Sequence, residues 1–156
     1  GPHLATWTCS DISLRMQNVE VIENGIDYFF LDTGSPHYVK FVKDIESINV
    51  FEEGKKIRCN ERFKNDGTNV NFVHIKDQKL YIRTYERGVE DETLACGTGV
   101  VASVLSAYEA KLIYNNSVEV IALGGDFKVN FEKKDHYHTI DLVGPYNCVF
   151  KGEIKC

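Results

Sequence analysis

No two of the five cysteines (Cys9, Cys59, Cys96, Cys148 and Cys156) form a C-x-x-C pair, so the usual signals for structural zinc and thioredoxin-like redox chemistry are missing. Odd in number and irregularly spaced, they read as reduced thiols of a cytoplasmic protein. Positive charge is also scarce. Lys and Arg total 18 against 23 Asp and Glu, giving a net charge of −5, which excludes the clustered basic footprint that nucleic acids require. The densest basic stretch, Lys55-Lys56-Ile57-Arg58, reads as a solvated helix face. No apolar run approaches the length of a membrane span. Neither a starting Met nor a signal-peptide pattern opens the chain at Gly1-Pro2-His3, so the natural N-terminus is expected upstream. Internal repeats and low-complexity linkers are absent. What remains is an average globular composition, 43% hydrophobic and 26% charged, in a chain long enough to bury a core without staples.

Short strands dominate. Residues 4–8 and 12–16 flank the turn-like Cys9-Ser10-Asp11 and read as a hairpin. Asp27 to Leu31 is a strand ending at Asp32-Thr33-Gly34-Ser35-Pro36-His37, and Tyr38 to Val42 resumes an extended pattern. Val50 to Arg58 reads as a short helix in spite of Gly54. Phe72 to Ile75 and Leu80 to Tyr85 flank a turn at Lys76-Asp77-Gln78. Val118 to Leu123, Phe127 to Phe131 and His138 to Leu142 complete the set, and Phe127, Val129 and Phe131 alternate with polar residues as a half-buried strand should. One helix stands apart, about residues 99–112. Its first nine residues carry no charge, so its start must be surrounded by protein rather than lie on a surface. A helix wrapped by mixed and antiparallel strands is an α+β arrangement.

Two stretches bear chemistry. Asp32-Thr33-Gly34-Ser35 has the look of an aspartic protease loop, but that chemistry needs a second aspartate from a dimer partner and leaves Pro36-His37 without a role. Farther on, Glu86-Arg87-Gly88 is followed by Thr93-Leu94-Ala95-Cys96-Gly97-Thr98-Gly99 at the mouth of the uncharged helix. Backbone N–H groups at such a mouth stabilise anions and lower a thiol's pKa. Gly97 and Gly99 open the first turn to a ligand, and a carboxylate suits it. The alternative is a structural cysteine before a glycine turn.

These segments resemble the diaminopimelate epimerase family. E-R-G, an acidic linker and A-C-G-T-G resemble its second catalytic motif. D-T-G-S-P-H resembles its D-x-G-N-P-H segment, with Ser35 in place of the usual Asn. Thr68-Asn69-Val70-Asn71-Phe72 resembles its V-N-x-x-F stretch, and Val143-Gly144-Pro145 through Glu153 its closing strand. The four motifs occur in order from about Asp32 to Glu153. The linker from Gly88 to Cys96 is one residue longer than the commonest family form.

The resemblance implies inversion of an amino-acid α-carbon by two cysteines without a cofactor or metal, in lysine and peptidoglycan-precursor synthesis. Cys96 would be one acid/base, Glu86 would help move its proton, and His37 would line the same site. Gly97, Thr98 and Gly99 would bind the reacting carboxylate. Arg87 would grip the distant carboxylate, with Asn69 and Glu86 toward the same end. The family's other cysteine sits in a C-G-N-G setting, and no such motif occurs here; Cys9 and Cys156 are read as incidental. The chain therefore resembles the carboxy-terminal part of an epimerase. Residues 20–143 would form the domain, while 1–19 and 144–156 would belong with a missing N-terminal half. Their free strand edges would invite dimerisation or swapping. Another cofactor-free racemase of the same fold, or a half-domain that only docks partners, are the competing readings.

Overall fold

Residues 97–109 form the helix that organises the rest, without charge until Glu109 at its last position. The computed structural model describes residues 3–8 and 10–154, so Cys9 and Cys156 lie outside the described residues. In chain order the elements are β1 (Ala5–Trp7), β2 (Asp11–Arg15), β3 (Glu23–Asn24), β4 (Phe29–Asp32), β5 (Pro36–Phe41), α1 (Val50–Arg58), β6 (Asn69–Lys76), β7 (Lys79–Glu86), β8 (Asp91–Thr93), α2 (Gly97–Glu109), β9 (Ser117–Ala122), β10 (Gly125–Lys133) and β11 (Tyr137–Pro145). The strands form one sheet in the order β1-β2-β11-β10-β9-β7-β6-β5-β4-β3, and β8 pairs with β7. Pairings are antiparallel except β5 with β6 and β7 with β9, which are parallel. The sheet curls around α2, which packs against β4 to β7 and β9 to β11. The expected α+β fold of mixed strands around a buried helix is thus the fold observed.

Burial explains why α2 is a helix at all. Val100, Val101, Val104 and Leu105 are β-branched or bulky, and each is wholly buried. A buried side chain of this kind contributes roughly 1.5–3 kcal/mol, more than the few tenths lost to poor helix propensity. The helix begins two residues earlier than the apolar pattern indicates and ends at Glu109, short of Leu112. Its end is set by the backbone. Lys111 takes a left-handed conformation (φ 58°), and the Leu112 N–H reaches back to the Ala107 carbonyl at 3.0 Å, closing a Schellman cap.

Strand alternation gives each face of the sheet a distinct role. Val70 and Phe72 of β6 point into a second cluster with Tyr38, Val50, Phe63 and Tyr85, covered by α1. Val73 points the other way, onto α2, as do Asn69 and Asn71 at intervals of two. The row facing α2 is therefore apolar along the helix body and polar at its N-terminus. On β5 the same change runs from Val39 to His37, and on β7 from Ile82 to Thr84.

β5 and β6 begin earlier than the sequence indicates, at Pro36 and Asn69, and further differences concern strands that need partners to exist. β3 and β8 are two and three residues long, too short to show periodicity. Residues 146–154, read as a closing strand, take no regular structure, because a strand requires a neighbour for its backbone groups. The Gly88–Cys96 linker opens with a tight hairpin between β7 and β8. There Gly88 and Glu90 have φ of 92° and 60°, and the Glu90 N–H meets the Glu86 carbonyl at 2.8 Å.

Gly54 is the central residue of α1, and a β-carbon on it would lie 2.4 Å from the Tyr85 β-carbon. Gly54→Ala should therefore lower stability by roughly 1–3 kcal/mol, although Ala is the better helix former by about 1 kcal/mol. An unchanged urea midpoint would mean that α1 can simply move away. Ser106 offers the opposite case, since its wholly buried hydroxyl has no hydrogen-bond partner among the described residues. Ser106→Ala should raise the melting temperature, by an amount equivalent to about 1 kcal/mol.

Candidate active site

Cys96 is the N-cap residue of α2, in extended conformation (φ −127°, ψ 106°). Its carbonyl accepts the Val100 N–H at 2.8 Å, so its side chain stands at the positive end of the buried helix. Position comes from both directions along the chain. On the N-terminal side, Arg83 of β7 makes a bidentate pair with Glu92 of β8 (2.6 and 2.8 Å) and donates to the Ile45 and Ile48 carbonyls at 3.1 Å. On the C-terminal side, the Thr33 hydroxyl donates to the Thr98 carbonyl at 2.9 Å. The segment containing Thr33 is a turn: the Asp32 carboxylate accepts the Gly34 N–H at 2.7 Å. Asp32 thereby shapes this loop.

His37 is sealed from solvent (0% exposed). Its Nε2 lies 2.9 Å from Thr98 Oγ1 and 3.0 Å from Ser35 Oγ, and its Nδ1 lies 3.0 Å from Asn71 Nδ2. Thr98 Oγ1 is in turn 3.4 Å from the Cys96 sulfur. Ser35, Asn69, His37, Thr98 and Cys96 thus form one connected cluster. Asn69 spends its amide on the scaffold: Oδ1 accepts the Arg87 N–H at 2.9 Å, while Nδ2 donates to the Pro36 carbonyl at 3.1 Å and to Ser35 Oγ at 3.2 Å. Glu86 and Arg87 form no ion pair with each other among the described residues. Glu86 accepts from Thr93 Oγ1 at 2.8 Å, and the exposed Arg87 donates to the Asp66 carbonyl at 2.9 Å.

Gly97 and Gly99 are needed by the protein's own packing. A β-carbon on Gly97 would lie 2.9 Å from Leu142 Cδ2, and one on Gly99 would lie 2.4 Å from Asn71 Oδ1. The first turn of α2 is therefore pressed against β11 on one side and the His37–Asn71 pair on the other. Asn71, Thr84 and the Ser35 hydroxyl escaped the sequence reading as members of this cluster. One signal was present: asparagines at 69 and 71 put two amides on one face of a strand that is otherwise apolar.

The electrostatics correct one expectation. Burial pushes the Cys96 thiol above its ordinary pKa, and the nearby Glu86 carboxylate adds to the rise. The Thr98 hydroxyl and the Gly99 and Thr98 N–H groups act against it without cancelling it. The sulfur of a residue 8% exposed loses more by desolvation than the helix mouth returns. For His37 burial is again the chief cause, with the Arg87 charge second, and it pushes the imidazole down to about 3. The folded protein holds it neutral while the unfolded chain protonates it near 6.5. Stability should then fall as pH drops from about 6.5, by up to roughly 1.4 kcal/mol per pH unit, until the folded-state value is passed. Urea unfolding between pH 6.5 and 4.5 checks this: His37→Gln should flatten the slope, and an equal slope in both proteins would remove His37 as its source.

A model of the diaminopimelate epimerase family matches residues 29–149. The chain is 41% identical to the diaminopimelate epimerase of Flavobacterium psychrophilum, across 99% of this chain and 61% of that protein. With that of Chlorobaculum tepidum the identity is 43%, across 80% of this chain and 49% of the other. The chain thus spans about half to three-fifths of the length of these relatives. In fold it resembles a hydroxyproline epimerase from Agrobacterium vitis (TM-score 0.67, 13% identity, 92% of this chain and 52% of that one). It also resembles a probable proline racemase from Agrobacterium radiobacter (TM-score 0.65, 14% identity, 88% and 51%). By the match over residues 29–149 and the identity to these relatives, the chain belongs to the diaminopimelate epimerase family.

Proposed function

We propose that this chain is the carboxy-terminal half of a diaminopimelate epimerase, carrying one of two cysteines that interconvert LL- and meso-diaminopimelate without a cofactor. The observation that carries the reading is Cys96 at the N-cap of a buried helix whose first-turn N–H groups are the natural site for a carboxylate. In the reaction one thiolate removes the α-proton, and the electron pair left on the α-carbon spreads into the carboxylate. A thiol on the opposite face then supplies a proton, so two sulfur groups exchange roles in the two directions. Gly97, Thr98 and Gly99 stabilise the charge that develops on the carboxylate. Glu86 helps move the proton at Cys96, and His37 supports the same site from within. At the far end of the substrate, Arg87 would exchange its hold on the Asp66 carbonyl for the second carboxylate, with Asn69 keeping the Arg87 backbone in place and Glu86 attracting the distal ammonium.

Surface chemistry supports a missing N-terminal half. Leu4, Trp7, Val149 and Phe150 are all largely exposed, and they fall in the two terminal segments, 1–19 and 144–156, expected to belong with that half. A globular surface normally covers such a concentration of large apolar groups with a partner. In isolation the same edges are open to a second copy of the chain. The setting proposed is the cytoplasm, in lysine and peptidoglycan-precursor synthesis.

Deuterium incorporation at the α-carbon of LL-diaminopimelate tests this directly. The isolated chain should show no appreciable exchange, because it offers only one competent cysteine. The chain joined to its N-terminal half should exchange and epimerise, and Cys96→Ala in the joined protein should abolish turnover. Full turnover by the isolated chain would refute the two-cysteine reading. A joined protein inactive on diaminopimelate but active on another amino acid would favour a different racemase.

A further inference from the structure

We propose that two hydrogen-bond chains converge on the Thr98 hydroxyl and aim its proton at the Cys96 sulfur, making Asn71 and Ser35 positioning residues for the thiolate of Cys96. This deepens the epimerase reading and rests on it for its catalytic meaning. The proton order itself follows from which groups can only donate and which can only accept.

The first chain starts at Asn71. Its Nδ2 lies 3.2 Å from the Tyr38 carbonyl, a group that can only accept, so the amide orientation is fixed with nitrogen on that side. The Thr84 hydroxyl meets the amide oxygen at 3.0 Å, in agreement. The second N–H of Asn71 points to His37 Nδ1 at 3.0 Å. That ring nitrogen is therefore the lone-pair acceptor, and in the neutral imidazole the proton sits on Nε2. From Nε2 it is donated to Thr98 Oγ1 at 2.9 Å, with Ser35 Oγ as the other neighbour at 3.0 Å.

The second chain starts at Asn69. The Arg87 N–H fixes its oxygen and the Pro36 carbonyl fixes its nitrogen, so Nδ2 donates to Ser35 Oγ at 3.2 Å. Neither nitrogen neighbour of Ser35 Oγ can accept its proton: Asn69 Nδ2 donates to it, and His37 Nε2 already bears the proton that goes to Thr98 Oγ1. Its own proton is left for Thr98 Oγ1 at 3.2 Å. Thr98 Oγ1 then receives from His37 and from Ser35, which fills its two lone pairs. Its single proton has one remaining partner, Cys96 Sγ at 3.4 Å.

A donor held in this direction favours the thiolate over the thiol, since the thiolate is the better acceptor. It opposes the desolvation of the sulfur and the charge of Glu86, the carboxylate facing it from β7. Arg87 is the nearby cation and His37, on β5, contributes a dipole rather than a charge. His37 acts through Thr98 and has no exposed surface of its own. The design leaves a sulfur that can hold negative charge in a buried place, with the first-turn N–H groups of Thr98 and Gly99 beside it.

The test uses the full chain. Nitrogen-15 NMR of His37 should show the Nε2–H tautomer, with no change of ionisation across about pH 5 to 8, the range in which an ordinary histidine titrates. Iodoacetamide alkylation, mapped to Cys96 by mass, should be roughly tenfold slower near neutral pH in Thr98→Val, with its pH profile displaced to higher pH, because a hydrogen bond to a charged group is lost. Thr98→Ser should restore the wild-type profile. Asn71→Asp should move the proton to Nδ1, make His37 titratable and slow Cys96 alkylation, whereas a residue that merely packs would leave the tautomer alone. An Nδ1–H tautomer in the wild-type chain would overturn the proposal, and so would a folded Thr98→Val protein with the wild-type alkylation profile. Should Thr98→Val fail to fold, Ser35→Ala decides in its place: slower alkylation supports the chain, and an unchanged profile overturns it. None of these measurements uses diaminopimelate, so a joined protein inactive on that substrate would remove the proposed function and leave this result standing.

Discussion

An uncharged helix is stable in water only if something else covers it, and α2 is covered by strands from both halves of the sheet. That single requirement matches the curl of the sheet around the helix and the return of β9 to the side of β7. It also determines where polarity is admissible. Along the helix body the facing strands present Val39, Val73, Leu80 and Ile82. At the helix mouth, where N–H groups lack intrahelical partners, they present His37, Asn69, Asn71 and Thr84. The candidate site is the place where the core changes from apolar to polar.

Burying that many polar groups is costly unless each finds a partner. The cluster meets this by ending on backbone carbonyls and N–H groups of fixed polarity: the Tyr38 and Pro36 carbonyls and the Arg87 N–H. A network anchored in this way has one consistent arrangement of protons. Its position beside Cys96 offsets part of what desolvation does to the sulfur. The protein thereby keeps the Cys96 thiol in a water-poor place, where electrostatic interactions are strongest.

The secondary structure was legible wherever periodicity had length to express itself: the long strands, α1 across Gly54, and the body of α2. It was illegible for β3 and β8, which exist only because a neighbour supplies their partners, and for the end of α2, which a left-handed Lys111 sets. The site was legible in part. Cys96, Glu86, Arg87, His37 and Asn69 stand in motifs that can be read letter by letter. Ser35 and Asn71 stand in the same motifs, but their part in the cluster, like that of Thr84, was not legible, because it comes from contacts across strand pairings and with the mouth of α2.

The sequence by itself determined the family, the central apolar helix and the cysteine at its mouth, because charge-free periodicity and an ordered set of motifs are local properties. Only the tertiary structure decided how those residues behave. It sealed His37 from solvent, raised rather than lowered the Cys96 thiol, pressed Gly97 and Gly99 against the protein's own side chains, and turned two asparagines into fixed donors. The physical reason is that desolvation and hydrogen-bond direction depend on what surrounds a group in space, and for each of these residues the decisive neighbours come from other strands of the sheet.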